Sequence, residues 1–428
     1  MRRLVGAAAL LLAVGGCAAV REGLERQMVG GHEEPWVRVG LATDATGVEL
    51  TSDRDMLLRL REPGGQREHV PREVARELRV TAEGGLGLTG GEGYRETLPA
   101  EDTLVVDFRS APLESRFAWR GRHYTGRMMI FRNSRATFTV VNVLPLERYL
   151  AGVVPAEIGR AGADGAEAVK AQAVAARSYT LYYLGRRAAE GFDLLGTVED
   201  QVYGGLEAED PGTIGLIQAT RGVVLVSDGH PVRAMYSSAC GGMLASLDEA
   251  FPSPPLSYLV AHRDRSPDLG PTESFCSQAS AYRWREEWSM EQFEATLAEF
   301  GPPEWRTEDG QLRGRVLDVR VAERSASARV KRLEIETTAG TYTLDEMKIR
   351  GTLRRPANGR PALRSTLFKI GVDYDGGAPA RVVAEGAGNG HAVGLCQFGA
   401  RGMSARGYLY EQILLHYYRG AQLDRWYE

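Results

Sequence analysis

The chain has 428 residues, 43% of them hydrophobic and 25% charged, which excludes the fibrous and disordered classes and allows a buried core. Its formal net charge of -4, without any run of five like charges, gives no reason to expect a nucleic-acid partner. At roughly 100–200 residues per domain, the length points to two or three folded units.

Arg2 and Arg3 precede an apolar run from Leu4 to Val14, and Gly15 and Gly16 lead into Cys17. That order reads as a signal peptide over 1–16, because the run is far shorter than the ~20 residues that cross a bilayer. Val14-Gly15-Gly16-Cys17 resembles the bacterial lipobox, whose Cys receives a diacylglyceryl group and becomes the new amino terminus. A plain secretory signal with a chance cysteine is the alternative. Lipidation at Cys17 would supply enough buried CH₂ groups for a stable membrane anchor. With Ala18 following, the expected location is the outer membrane, facing the periplasm. Polar residues then form an expected lipidated tether over 17–35.

From Trp36 the pattern changes to short alternating stretches such as Val37–Leu41, Leu104–Phe108 and Met128–Phe131, separated by Gly- and Pro-bearing turns. This predicts a β-rich N-terminal domain over 36–125. Gly85, Gly87 and Gly90 spell a dinucleotide fingerprint, but no βαβ unit surrounds them and they read as turn residues. A β-branched run at Thr137–Val143 ends at Leu144-Pro145, and a short helix follows over 146–154. The Ala-rich stretch 165–190 predicts a long, buried, central helix. Strands are expected at 222–227 and 233–237, then an irregular Pro-rich stretch to Pro271. A β-rich insertion near 310–350, a loop and helix over 386–407 and an aromatic helix near 408–418 complete the chain. The fold class is therefore α+β, with mixed β-sheets around the Ala-rich helix and a second domain over 126–428.

Four segments carry a resemblance: VNVLPLERYLAGVVPAEIG at 141–159, AEAVKAQAVAARSYTLYYL at 166–184, AMYSSACGGM at 234–243 and GNGHAVGLCQFGARGMSARG at 388–407. DQVYGG at 200–205, RSASARV at 324–330 and LRSTLF at 363–368 are smaller echoes. In these segments, from about Phe131 onward, the sequence resembles the SpoIID/LytB family of cell-wall proteins. The resemblance implies a peptidoglycan lytic transglycosylase that cleaves the bond between N-acetylmuramic acid and N-acetylglucosamine, with Glu157 as its catalytic residue. One carboxyl suffices for that chemistry. As an acid it protonates the leaving O4, and as a carboxylate it takes the proton of the sugar's own C6 hydroxyl. Read without the resemblance, Pro155 could open a helix and make Glu157 its third residue, where an acid complements the dipole and the pKa falls. Apolar Val153, Val154 and Ile158 would act in the opposite direction.

Glu147 and Glu167 read as charges on helix surfaces. By the same resemblance, Arg177 and Ser178 face the glycan, or else Arg177 is a buried partner of a carboxylate. Gln201, Tyr203, Tyr236, Ser237, Ser238, His391 and Gln397 offer hydroxyl, amide and imidazole groups of the kind that bind sugars, or that cap turns. Cys240, Cys276 and Cys396, with His391, match no standard zinc spacing. A disulfide with a free thiol, a structural zinc site and small buried side chains all remain open; no cofactor is required for the reaction. Zinc-protease, nucleophile-elbow and Walker motifs are absent from the sequence.

The expected partners are peptidoglycan glycan strands, a cell-wall amidase that strips their stem peptides, and the membrane through the Cys17 lipid. The rival function is a wall-binding amidase enhancer of LytB type that performs no chemistry of its own.

Overall fold

The computed structural model describes residues 33–61 and 71–428, apart from 161, 163 and 271. The signal peptide, Cys17 and most of the expected tether lie outside the described residues. The architecture is mixed α+β. The described residues form two compact units, one drawn from the stretches up to Arg160, Ala176–Val224 and Leu423–Glu428, the other from the stretches within 161–175 and Leu225–Gln422. No helix among them is long and apolar enough to cross a membrane.

In the first unit, Val37 and Val39 alternate with Arg38: the two valines are fully buried and Arg38 turns the other way to pair with Asp193 at 2.7 Å. Their strand, Trp36–Ala45, runs antiparallel to Phe138–Pro145, with Val37 opposite Leu144 and Val39 opposite Asn142. Both belong to a seven-stranded sheet that also takes in Leu194–Leu195, Arg127–Arg132, Thr103–Asp107, Met56–Arg61 and Arg72–Val74. A six-stranded sheet covers the remaining strands between Val48 and Tyr124. The expected division at 125/126 therefore differs from the observed one, because the first strand satisfies its backbone groups on a strand of the second predicted domain. Of the three glycines read as turn residues, Gly85, φ 137°, lies in the turn between Glu77–Thr81 and Leu86–Gly90, whereas Gly87 and Gly90 are paired within the second of these strands.

Pro145 ends its strand and the helix Leu146–Ile158 begins at once. Its first donors are satisfied from the chain just before Trp36: Leu146 N–H reaches the Pro35 carbonyl at 2.9 Å and Glu147 N–H reaches Glu34 Oε1 at 2.6 Å. Glu34 also accepts from Arg221 Nη2, so residues expected in the tether are part of the folded unit. The helix continues through Pro155 and stops at Gly159, whose φ of 75° ends it. The Ala-rich helix spans Ala166–Tyr183, and residues 171–181 are all buried. It ends earlier than predicted because the chain turns at Gly185, φ 75°, into a separate 3-10 turn at Ala188–Glu190.

The second unit is built on two three-stranded antiparallel sheets. One orders Trp284–Ser289, Ala378–Gly386 and Phe368–Asp375; the other orders Val316–Arg324, Val330–Thr337 and Gly340–Asp345, where the β-rich insertion was expected. Trp288, Phe293, Leu297, Leu333, Ile335 and Val382 are the center of their common core. Beside this core, Tyr236–Ser237 pairs in parallel with Leu395–Cys396, which brings the AMYSSACGGM and GHAVGLCQFGA segments into register.

Candidate functional site

Glu157 is half-buried on the last turn of the Leu146–Ile158 helix, with Val153, Val154 and Ile158 buried around it. This corrects the reading in which Glu157 sat at a helix N-terminus. At a C-terminal turn the helix dipole disfavours the carboxylate and favours the protonated acid. One contact acts the other way: Val202 N–H donates to Glu157 Oε1 at 2.8 Å, a bond that favours the charged form.

The Val202 donor is held in place by its neighbours. Gln201 Oε1 accepts from Thr180 Oγ1 at 2.8 Å and from Tyr149 Oη at 3.3 Å, and its amide donates to the Ala176 carbonyl at 3.3 Å. Tyr203 packs its ring against Tyr149 at 5.2 Å between centroids and donates its hydroxyl to Asn142 Oδ1 at 2.9 Å. Asp200 accepts from Leu195 N–H at 2.8 Å and from Arg186. Gln201 and Tyr203 are thus buried groups that shape the 200–205 loop under Glu157, rather than groups facing solvent. Val202, Tyr149 and Asp200 were not singled out from sequence. A main-chain donor has no side-chain signature, so no sequence signal marks Val202.

Arg177 is buried in a bidentate pair with Glu147, at 2.7 and 2.8 Å, and its third nitrogen donates to the Val223 carbonyl at 3.0 Å. Of its two readings the geometry matches the buried partner. Ser178 is buried as well. Glu147 is not the surface charge expected from sequence; it also accepts from Tyr427 Oη at 2.6 Å. Glu167 is half-buried, bonded to Lys170 and to Tyr410 N–H.

The other expected sugar-binding residues belong to the second unit. Ser237 Oγ accepts from Ala392 N–H at 3.1 Å, the Ser238 carbonyl accepts from Phe398 N–H at 3.0 Å, and Gln397 is buried against Gln172 at 3.5 Å. Tyr236 and Ser238 keep partial exposure. His391 accepts from Val393 N–H at 3.0 Å and packs edge-on to Phe251 at 5.3 Å; burial pushes its imidazole down to about 3, so it is neutral near pH 7.

The three cysteines do meet. Cys240, Cys276 and Cys396 are buried and reduced, and their sulfurs lie within 4.8 Å of one another and of an Asp264 carboxylate oxygen. Asp264 takes the place that the sequence reading assigned to His391, which is not in the cluster. Hydrogen bonds from Cys240 and Cys396 pull the Cys276 thiol toward thiolate, while burial raises the other two.

A cavity of about 370 Å³ in the first unit is lined by Arg116, His123, Arg148, Glu207 and Glu209, among others, and Glu157 is not on its lining. Four of its ionisable side chains face one another, Arg148 with Glu209 and His123 with Glu207. It therefore does not displace Glu157 as the candidate center.

Residues 134–226 match the family model described as stage II sporulation protein, SpoIID, and residues 269–394 match a domain of unknown function, DUF8618. An uncharacterized protein of Brachyspira hyodysenteriae is 29% identical over 308 residues, 72% of this chain and 74% of that protein. The amidase enhancer of Bacillus subtilis is 27% identical over 301 residues, which is 64% of this chain but only 40% of the enhancer. Residues 134–226 of this chain are thus similar to the SpoIID family, and a relative named as an amidase enhancer shares similarity with 64% of the chain.

Proposed function

We propose that the chain is a peptidoglycan lytic transglycosylase acting on glycan strands already stripped of stem peptides by an amidase, with Glu157 as acid and then base. The observation that carries this reading is the environment of Glu157. A helix C-terminus and apolar neighbours favour the protonated acid that delivers a proton to the leaving O4. The Val202 N–H favours the carboxylate that then accepts the C6 hydroxyl proton as that oxygen closes on C1. The two influences oppose one another, as a group that alternates between both forms requires. The product is a 1,6-anhydro sugar, and no water enters the reaction.

The second reading is an amidase enhancer, which the Bacillus subtilis relative is. Digestion of denuded and intact peptidoglycan by wild type and Glu157→Gln separates the two. Anhydro-muramyl ends from wild type, with a rate loss of ~10²–10⁴-fold in the variant at unchanged melting temperature and wall binding, is the expected result. Reducing ends would make the chain a hydrolase. No release by either protein, together with stimulation of an added amidase, would establish the enhancer.

We also propose that the mature chain begins at Cys17, is lipid-modified there, and faces the periplasm from the outer membrane. Acyl mass on the amino-terminal peptide and loss of Cys17→Ser from the membrane fraction are the expected outcomes. A wild-type protein that is soluble or still carries Met1 would refute this.

A further inference from the structure

We propose that Cys240, Asp264, Cys276 and Cys396 form a tetrahedral zinc site that staples the second unit together. Four ligand atoms from four separate stretches of chain, all fully buried, lie within 4.8 Å of one another. Cys240 Sγ and Cys276 Sγ are 3.6 Å apart. A disulfide holds its sulfurs at about 2.05 Å, whereas tetrahedral zinc with bonds of about 2.3 Å places neighbouring sulfurs about 3.8 Å apart. Asp264 Oδ2 is 3.1 Å from Cys240 Sγ, on the same scale.

Burial of three thiols as small apolar groups would explain the cysteines but not Asp264. This carboxylate has no exposed surface, and among the described residues its one ion-pair contact is His416 Nε2 at 3.2 Å. A buried carboxylate without a strong counter-charge is costly, and a divalent cation among the sulfurs supplies one. The outer contacts suit metal ligands. Asp264 Oδ1 accepts from Tyr417 Oη at 2.9 Å, Cys396 Sγ accepts from the N–H groups of Cys240 and Gly399 at 3.2 and 3.3 Å, and Cys240 Sγ accepts from Gly242 N–H at 3.4 Å. Gly241 and Gly242, at φ 73° and 96°, give the backbone the turn that folds it around the sulfur.

Three thiolates and one carboxylate select a borderline-soft ion over magnesium or calcium, and four filled positions make the site structural rather than catalytic. Zinc there would fix the Tyr236–Ser237 and Leu395–Cys396 pair and the start of the Gln397–Ser404 helix. The proposal is independent of the transglycosylase reading, since none of its four residues takes part in that chemistry.

The test is made on the wild-type full chain, purified without chelator. Elemental mass spectrometry should find about one zinc per chain. Titration of native protein with a thiol reagent should release zinc in step with modification of Cys240, Cys276 and Cys396, located by peptide mapping. Chelation should lower the melting temperature, and Cys396→Ser and Asp264→Asn should lose the metal. Three free thiols without zinc, a mapped disulfide between any two of them, or another metal in place of zinc would each overturn the assignment. These wild-type measurements decide the matter even if the variants fail to fold.

Discussion

Glu147 and Arg177 are 30 residues apart in sequence and meet in a buried bidentate pair that Tyr427 completes. Burial by itself would raise the Glu147 carboxyl, but hydrogen bonds and charge from Arg177, with the Tyr427 hydroxyl, bring it below its ordinary value. Because the folded-state value is depressed, the carboxylate's contribution is fully present above the unfolded-state pKa of about 4.3 and is lost as pH falls through the lower folded one. Glu147→Gln leaves the Arg177 charge buried without its counter-charge and should cost about 3–5 kcal/mol in urea unfolding at pH 7. The gap between variant and wild type should narrow below about pH 4. A gap that stays constant from pH 7 to pH 3 would show that ionisation of Glu147 is not what stabilises the pair. Residue type alone could not place this glutamate, because burial of a charge depends on a partner that local pattern does not reveal. Glu157 differs: the resemblance singled it out as the candidate, while its place at a helix C-terminus was not legible.

At the scale of elements, the Leu146–Ile158 helix and the 200–205 loop approach so closely that only glycine fits between them. A Cβ on Gly152 would lie 2.5 Å from Tyr203 Cε2 and 3.1 Å from the Gly205 carbonyl, and Gly204 N–H already donates to the Gly152 carbonyl at 3.0 Å. Tyr203 cannot easily retreat, since its hydroxyl is bonded to Asn142 and its ring to Tyr149. Gly152→Ala should therefore cost about 1–3 kcal/mol and displace Val202 from Glu157. Gly215→Ala is the control: it lies in the Pro211–Ala219 helix with open space around it and should be neutral or stabilising by up to about 1 kcal/mol. Equal melting temperatures for Gly152→Ala and wild type would mean that the loop is not wedged against the helix. The two helices were visible from periodicity and from the strand-ending Pro145, although the first was expected over 146–154 and the second over 165–190, against the observed Leu146–Ile158 and Ala166–Tyr183. The Trp284–Ser289, Phe368–Asp375 and Ala378–Gly386 strands were not anticipated, because their burial patterns are irregular and their cohesion comes from pairing with one another.

For the whole molecule, each compact unit is assembled from stretches interleaved along the chain, and the Ala166–Tyr183 helix contributes its first part to one unit and its second part to the other. A linear reading that cut the chain at 125/126 could not see this. The sequence by itself determined the α+β class, the buried Ala-rich helix, the family resemblance and the glutamate to examine, since each rests on composition, short-range periodicity or a motif within a few residues. Only the tertiary structure decided that Glu157 ends a helix, that Arg177 is consumed by Glu147, and that Asp264 rather than His391 joins the three cysteines. Those outcomes depend on which distant segments satisfy one another's backbone and charged groups, and such long-range pairing leaves no periodic trace in the sequence.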